Sequence, residues 1–172
     1  MLEIFKKIKS FLGFNSGDNG NTLAMNGNLY VKFLKRDGEI IDKGLVATKM
    51  VTNAGAEYLV DAFQSSTGYP MSNFYWHGCS IGTGAEAVGD TALSTGFTEA
   101  RTTGTQTETS SMVYKSISTH TFEVTGAAIT EHGLFSSSAG ATLWDRSLFA
   151  AINVSSGDSI AFTYELTVTP GG

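Results

Sequence analysis

Residues 128–149 contain the residue types in this chain that are best suited to chemistry. The segment reads AITEHGLFSSSAGATLWDRSLF, with Glu131 beside His132 and Asp145 beside Arg146. A carboxylate next to an imidazole could work as an acid–base pair, and the segment would then be an active site. The alternative is that these are the polar ends of two strands joined by a turn at SSSAG. In that arrangement Glu131 and Arg146 occupy mirrored positions and pair across the sheet.

A metal site has one candidate pair. His77 and Cys79, in WHGCS, are two residues apart, so on a strand they would share one face. A structural zinc site needs about four ligands, and His120 and His132 would have to converge on this pair from distant positions. We therefore expect a half-buried strand at this position, and we predict no metal and no other cofactor.

Other catalytic patterns are weak, and we predict a chain without enzymatic activity. No Gly-x-Ser-x-Gly is present, and FSSSAG at 135–140 is typical of a turn. IGTGAEAVGD at 81–90 has two glycines at GxG spacing but lacks the rest of a phosphate loop. Carbohydrate cleavage or binding stays open, because the separation of two carboxylates is spatial. The candidate carboxylates are Glu99, Glu108, Glu123, Glu131 and Asp145, and the aromatic residues are Tyr75, Trp76 and Trp144.

The elements that must position these residues are mostly predicted strands. Only 16% of the 172 residues are charged, against about a quarter in typical domains, and Gly, Ser and Thr are abundant. Strand candidates are residues 28–35, 40–51 (one or two strands), 74–82, 112–124, 133–137, 142–149 and 158–169, with a hairpin turn at RDGE, 36–39. Residues 52–64 predict one helix, capped by Thr52 or Asn53, with Leu59, Ala62 and Phe63 on its inner face and Tyr58 alongside. Residues 83–111 predict a long surface loop with a short strand near Phe97.

The last strand gives the strongest indication of the fold class. In DSIAFTYELTVT, residues 158–169, apolar and polar residues alternate from Ile160 to Val168. Such alternation indicates a strand with one buried and one solvated face, as in antiparallel sheets. We predict an all-β fold: an antiparallel β-sandwich or jelly-roll-like body at 29–172 with one short internal helix.

The first 14 residues predict an amphipathic helical arm, joined to the body by a linker rich in Gly and Asn at 15–28. The arm is predicted to dock onto another protein subunit. Folding back onto its own body and lying on a membrane surface are the alternatives. The predicted docking residues are the apolar Ile4, Phe5, Ile8, Phe11 and Leu12, and the basic Lys6, Lys7 and Lys9.

Charge and cysteine content restrict the partners further. Residues 1–49 hold eight of the eleven Lys and Arg, whereas residues 50–172 hold eleven of the sixteen acidic residues. An acidic body without basic–aromatic clusters argues against nucleic-acid binding.

The single cysteine, Cys79, excludes an internal disulfide. No run of about 20 apolar residues predicts a membrane span, and the N-terminus does not read as a signal peptide. We predict neither a membrane nor a nucleic acid as partner.

Three segments together resemble small structural proteins of tailed bacteriophages. They are MVTNAGAEYLVDAF (50–63), SIGTGAEAVGDTAL (80–93) and AITEHGLFSSSAGATLWDRSLFAAINVSSGDSIAFTYELTVT (128–169). The resemblance extends from residue 50 to residue 169, about two thirds of the chain, and the N-terminal arm is not part of it. It implies a non-enzymatic β-sandwich subunit of the virion, assembled in the bacterial cytoplasm and present in many copies.

The function that this resemblance implies is that of a capsid decoration, or cement, protein. Its partner would be the major capsid protein, and it would form a homo-oligomer, with a trimer as one arrangement. A tail component is the alternative, such as a tail-tip, collar or fibre-attachment protein bound to tail proteins. A host-surface carbohydrate binder is the third reading.

Overall fold

The computed structural model describes residues 23–64, 68–94, 97 and 99–170. In chain order its strands are β1 (Leu23–Leu34), β2 (Ile40–Val51), β3 (Trp76–Ser80), β4 (Thr102–Thr103), β5 (Thr105–Ser110), β6 (Val113–Thr121), β7 (Ala127–Phe135), β8 (Leu143–Val154) and β9 (Ser159–Pro170). The helix α1 spans Asn53–Gln64, and a single 3-10 turn spans Met71–Asn73.

The strands form two antiparallel sheets. The hydrogen-bonded order is continuous, β4–β3–β7–β8–β2–β1–β9–β6–β5, and we divide it between β8 and β2. Sheet I is then β2–β1–β9–β6–β5, and sheet II is β4–β3–β7–β8. The end of β2 crosses to sheet II, where Met50 and Val51 pair with Arg146 and Asp145 of β8. The chain crosses between the sheets a second time at Gly104, which joins β4, the edge strand of sheet II, to β5, the edge strand of sheet I. The prediction of an all-β, antiparallel, sandwich-like body with one helix is confirmed at this level.

Apolar side chains from both sheets fill the space between them. In β9, Ile160, Phe162 and Tyr164 are buried, so the predicted alternation faces the core as expected. The main cluster contains Ile160 and Phe162 together with Leu29, Val31, Phe33, Cys79, Phe122, Ile129, Phe149, Ile152 and Val154. A second cluster lies under α1 and consists of Tyr58, Phe74, Leu134, Trp144 and Tyr164.

The hairpin between β1 and β2 follows its sequence signal. The amide of Lys35 donates to Glu39 O at 2.8 Å, and Gly38 has a φ of 94°. A glycine adopts this left-handed conformation without a Cβ clash, which is why the Asp-Gly pair marks the turn. The returning segment 40–51 is one strand, with register shifts against β1 that bend it near Gly44.

Helix α1 begins where predicted, because the Thr52 hydroxyl accepts the amide of Gly55 at 3.0 Å. Of its predicted inner face, Leu59 packs against the core and Ala62 is half-buried, whereas Phe63 differs from the prediction. Gly55 lies against the backbone of Trp144, so close that a Cβ there would be 2.6 Å from Trp144 O. This contact turns Tyr58 inward and leaves Phe63 82% exposed. Among the described residues, no helix has both the length and the apolar character needed to cross a membrane.

Two segments predicted as irregular contain strands. β1 begins at Leu23, so residues 23–28 of the predicted linker pair with β9, and from Gly27 onward with β2 as well. β4 and β5 lie inside the predicted surface loop 83–111. Every residue of β5 is exposed, so this strand depends on backbone pairing with β6 and has no apolar alternation by which the sequence could reveal it.

Candidate functional site

A row of polar side chains crosses the space between the two sheets. We call it the buried polar row, and it consists of Lys49, Asp145, His132, His77 and Ser116. Lys49 Nζ lies 2.8 Å from Asp145 Oδ1 and 2.8 Å from His132 Nδ1. His132 Nε2 is 2.9 Å from His77 Nδ1, and His77 Nε2 is 2.8 Å from Ser116 Oγ. None of the five residues is more than 6% exposed.

Strand register brings these residues together. Val51 pairs with Asp145 across β2 and β8, and Lys49 lies two residues before Val51 on the same face. Lys49 and Asp145 are therefore diagonal neighbours, at a separation that a long side chain spans easily. Cys79 pairs with His132, so His77 stands diagonally beside His132 in the same way. Ser116 comes from β6 of sheet I, and its contact with His77 joins the two sheets.

The hydrogen bonds of the row fix the protonation pattern. A protonated Lys49 amine can only donate, so in that state His132 Nδ1 accepts and His132 carries its proton on Nε2. This proton points at His77 Nδ1, which leaves the His77 proton on Nε2, directed at Ser116 Oγ. Both imidazoles are thus neutral donors and acceptors in one continuous chain of hydrogen bonds.

Burial sets the electrostatics of the row. It lowers the pKa of His77 to about 3, and it lowers the pKa of His132 well below the ordinary value, with the charge of Lys49 adding to both effects. Burial also lowers the pKa of Lys49 and raises that of Asp145, although the attraction between these two groups opposes both shifts. Asp145 Oδ2 makes no hydrogen bond of ordinary length among the described residues, although the Tyr164 hydroxyl and the Leu134 amide also act to lower the pKa of Asp145.

A second cluster, the Arg146 cluster, lies on the opposite face of sheet II, because neighbouring residues of a strand point to opposite sides. Arg146 Nε and Nη2 both donate to Glu131 Oε2, at 2.8 and 2.6 Å. Arg146 also bonds Asp90 Oδ2 at 2.9 Å and the carbonyl of Gly84 at 2.9 Å. The predicted pairing of Glu131 with Arg146 is confirmed. The pair is buried, with side chains 0% and 5% exposed.

The Arg146 cluster holds the segment 82–94 against sheet II. Glu131 Oε1 accepts the amide of Ser94 at 2.7 Å, and Thr130 Oγ1 donates to Gly82 O at 2.6 Å. The carboxylate of Glu86 accepts the amide of Leu148. Arg146 and Glu131 therefore hold in place the surface loop that contains the GxG spacing.

The remaining sequence candidates do not come together. Within residues 23–64, 68–94, 97 and 99–170, no group of three or more His, Cys, Asp or Glu is arranged to hold a metal ion. His77 turns to His132, and His120 lies 3.5 Å from Glu99. Glu108 and Glu123 are exposed, whereas Glu131 and Asp145 are committed to Arg146 and Lys49. Trp144 is in the core, and Tyr75 stacks on Trp76 at 5.5 Å.

An open depression of about 420 Å³ adjoins β3. Its polar groups are already engaged: Arg101 lies over the Phe135 ring at 3.4 Å and donates to Ser137 O, and Glu99 faces His120. Cys79 lines it as a free thiol, and burial raises the pKa of this thiol, which keeps it protonated. The predicted docking residues from Ile4 to Leu12, including Lys6, Lys7 and Lys9, lie outside the described residues.

Sequence reasoning missed Lys49 and Ser116. The available signal for Lys49 was its position in GLVATKMV, where it shares strand parity with Leu45, Ala47 and Val51. A lysine in such a row is a candidate for burial, but its partner depends on which strand lies beside β2.

Comparison of the chain with protein-family models, curated proteins and solved structures gives no significant match.

Proposed function

We propose that this chain is a non-enzymatic structural protein of a tailed-phage virion, and that it decorates the outer shell of the capsid. The proposal starts from the sequence resemblance of residues 50–63, 80–93 and 128–169. One observation carries the proposal: the charged and hydroxyl side chains of these segments form hydrogen bonds that hold the segments to one another. Arg146 and Glu131 bind residues 84–94, and Thr52 Oγ1 donates to Leu143 O.

The surface supports a role in protein–protein contact. Large apolar side chains are exposed at several places, and two of them, Val60 and Phe63, lie one turn apart on α1 with exposures of 56% and 82%. Neighbouring exposed apolar residues are typical of surfaces that bind other proteins. The helix begins at Asn53, and the backbone amide of Asn53 donates to Val88 O at 2.7 Å. This hydrogen bond fixes the N-terminus of the helix to the 82–94 loop. An ordered loop beside an apolar helix face is a suitable docking surface.

The finer features belong to the same proposal. They are a jelly-roll-like body, an N-terminal docking arm at 1–14, the major capsid protein as partner, and a homo-oligomeric, for example trimeric, arrangement on the virion. Five buried apolar anchors on the arm would each contribute roughly 1.5–3 kcal/mol, less the cost of ordering the arm.

Copy number in the particle tests the proposal. Virions of the phage or prophage that encodes the chain are purified, and this chain is quantified against the major capsid protein by mass spectrometry. A ratio near that of a capsid lattice, with many copies per particle, is expected. A few copies, matching the rotational symmetry of a tail, would identify a tail component instead. Absence from purified particles would refute both readings.

A further inference from the structure

We propose that Lys49 and Asp145 condense to an intramolecular isopeptide bond, which joins β2 covalently to β8. The proposal is independent of any role in a virion. It rests on the buried polar row, in which an amine and a carboxyl group are held together inside the protein with a third group placed to move a proton.

The geometry provides contact without water. Lys49 Nζ and Asp145 Oδ1 are 2.8 Å apart, and both side chains are 0% exposed. Amide formation releases water, so a site that excludes bulk water does not favour the reverse hydrolysis. Holding the two groups in contact also removes most of the entropic barrier of a reaction between separate molecules.

The surroundings favour the neutral, reactive forms of both groups. An amine attacks only when it has lost its extra proton, and a carboxyl group accepts attack only when it carries one. Burial lowers the pKa of Lys49 and raises the pKa of Asp145, so the interior opposes the ion pair. The Lys49 amine occupies Asp145 Oδ1, so Oδ2, which makes no hydrogen bond among the described residues, is the oxygen left to carry the carboxyl proton.

The reaction balances with the groups that are present. The Nζ lone pair attacks Asp145 Cγ and forms the C–N bond, while His132 Nδ1, 2.8 Å from Nζ, takes a proton from the nitrogen. His132 then returns this proton to the departing hydroxyl, the C–O bond breaks, and one water molecule leaves. Nothing is oxidised or reduced. The step uses the His132 tautomer that carries its proton on Nε2, 2.9 Å from His77 Nδ1, because Nδ1 is then free to accept.

The chain contains a matched control. Lys115 and Glu165, on neighbouring strands β6 and β9, are also 2.8 Å apart, but their side chains are 23% and 20% exposed. Water reaches both groups there, and no histidine bonds to the Lys115 amine among the described residues. The distance is the same, so any difference in reactivity between the pairs reflects burial and the presence of His132.

Mass spectrometry of the full-length chain, purified in its folded state and then denatured, tests the proposal. We expect an intact mass lower by one water than the sequence requires, and a branched peptide that joins Lys49 to Asp145. Peptides containing Lys115 and Glu165 should be unlinked. A full sequence mass for the folded wild-type chain overturns the proposal, and so does a lost water that maps to any other position.

Variants define the roles of the groups. Lys49→Met and Asp145→Ala should each restore the full sequence mass, and this readout does not require the variants to be stable. His132→Gln should lower the linked fraction after equal expression times, because a positioned acid–base group accelerates proton transfer by about a hundredfold or more. If the His132→Gln chain is folded and fully linked, His132 is not the proton carrier.

Discussion

At the scale of single residues, the protein places several charges where water does not reach them. Glu131 is completely buried, and its main counter-ion is Arg146. Removing one member of a buried pair leaves the other without compensation, and this loss is larger than the net contribution of the intact pair. The Arg146 cluster is therefore the part of the structure most sensitive to a single substitution.

Replacing Arg146 with Ala should lower the free energy of unfolding by about 3–5 kcal/mol, because the buried carboxylate of Glu131 loses its partner. Urea unfolding followed by the fluorescence of the two tryptophans, buried Trp144 and half-buried Trp76, measures this change. Lys32→Ala is the control, since Lys32 pairs with Asp42 at 3.3 Å with both side chains 60% exposed. Its expected effect is at most about 1 kcal/mol. Equal effects of the two substitutions would contradict the burial argument.

The histidines should make stability depend on pH. Burial holds the pKa of His77 at about 3 and lowers those of His132 and His120 below the ordinary 6.5. Below pH 6.5 the histidines of the unfolded chain bind protons, whereas those of the folded chain stay neutral. The free energy of unfolding is therefore greatest above this pH and falls as the pH decreases. For each such histidine the slope approaches about 1.4 kcal/mol per pH unit.

Urea unfolding at several values between about pH 7 and pH 5 measures this slope, in a range where most carboxylates stay ionised. His77→Gln can still hydrogen-bond but does not titrate, so its slope should be smaller by the share of one histidine. A slope that is unchanged in His77→Gln would show that His77 does not contribute.

Local sequence order predicted some residue contacts and concealed others. Glu131 and Arg146 could be paired in advance because they flank one turn at mirrored positions. The Lys49–Asp145 contact could not, since β2 and β8 are distant in sequence and meet only because the end of β2 leaves sheet I for sheet II. His77 and His132 likewise depend on the pairing of β3 with β7.

At the scale of elements, the segment 82–94 is an ordered loop that depends on a close approach to β7. A Cβ at Gly82 would overlap the Ser94 side chain and lie 2.5 Å from Glu131 Oε1. Glycine is required there for space. At Gly84 and Gly89, in the same loop, an added Cβ would have no atom within 4 Å.

Gly82→Ala should therefore destabilise the protein by about 1–3 kcal/mol, as an overpacked site does, and loosen the loop. Hydrogen exchange of the amides in 82–94 reports the loosening, and urea unfolding reports the energy. Gly89→Ala is the control, because a Cβ at Gly89 would have no atom within 4 Å. If both variants behave alike, the loop is not held by the contact at Gly82.

Element prediction succeeded where apolar residues alternate and failed where backbone pairing alone makes a strand. β9 was predicted within one residue at each end, and α1 began at its Thr52 cap. β5 and residues 23–28 have no consistent apolar alternation, and they are strands because a neighbouring strand provides their hydrogen-bond partners. The inner face of α1 was misassigned at Phe63 because the contact of Gly55 with Trp144 is a tertiary one.

At the scale of the whole molecule, the strand order follows from none of the local signals, although the fold class does.

The proposed assembly also adds an arm to the body. Deleting residues 1–14 should abolish incorporation into particles while the body still folds, because the apolar anchors of the arm would be lost. Incorporation is measured by quantifying the variant in purified virions, and folding by circular dichroism.

Ser10→Ala is the matched control for this deletion, since it changes the polar side of the predicted arm and keeps Ile8 and Phe11. It should be incorporated like the unaltered chain. Full incorporation of the deleted protein would contradict the docking role of the arm.

The pairing of β1 with β9 has a consequence for the timing of synthesis. β9 lies at the centre of sheet I, between β1 and β6, yet it is the last strand of the described chain to leave the ribosome. Its partner β1 is the first, and such distant pairing makes folding slow. At translation rates of roughly 5–20 residues per second, β1 waits for several seconds or more with one edge unpaired. During that interval the unpaired edge of β1 exposes backbone groups that another chain could pair with.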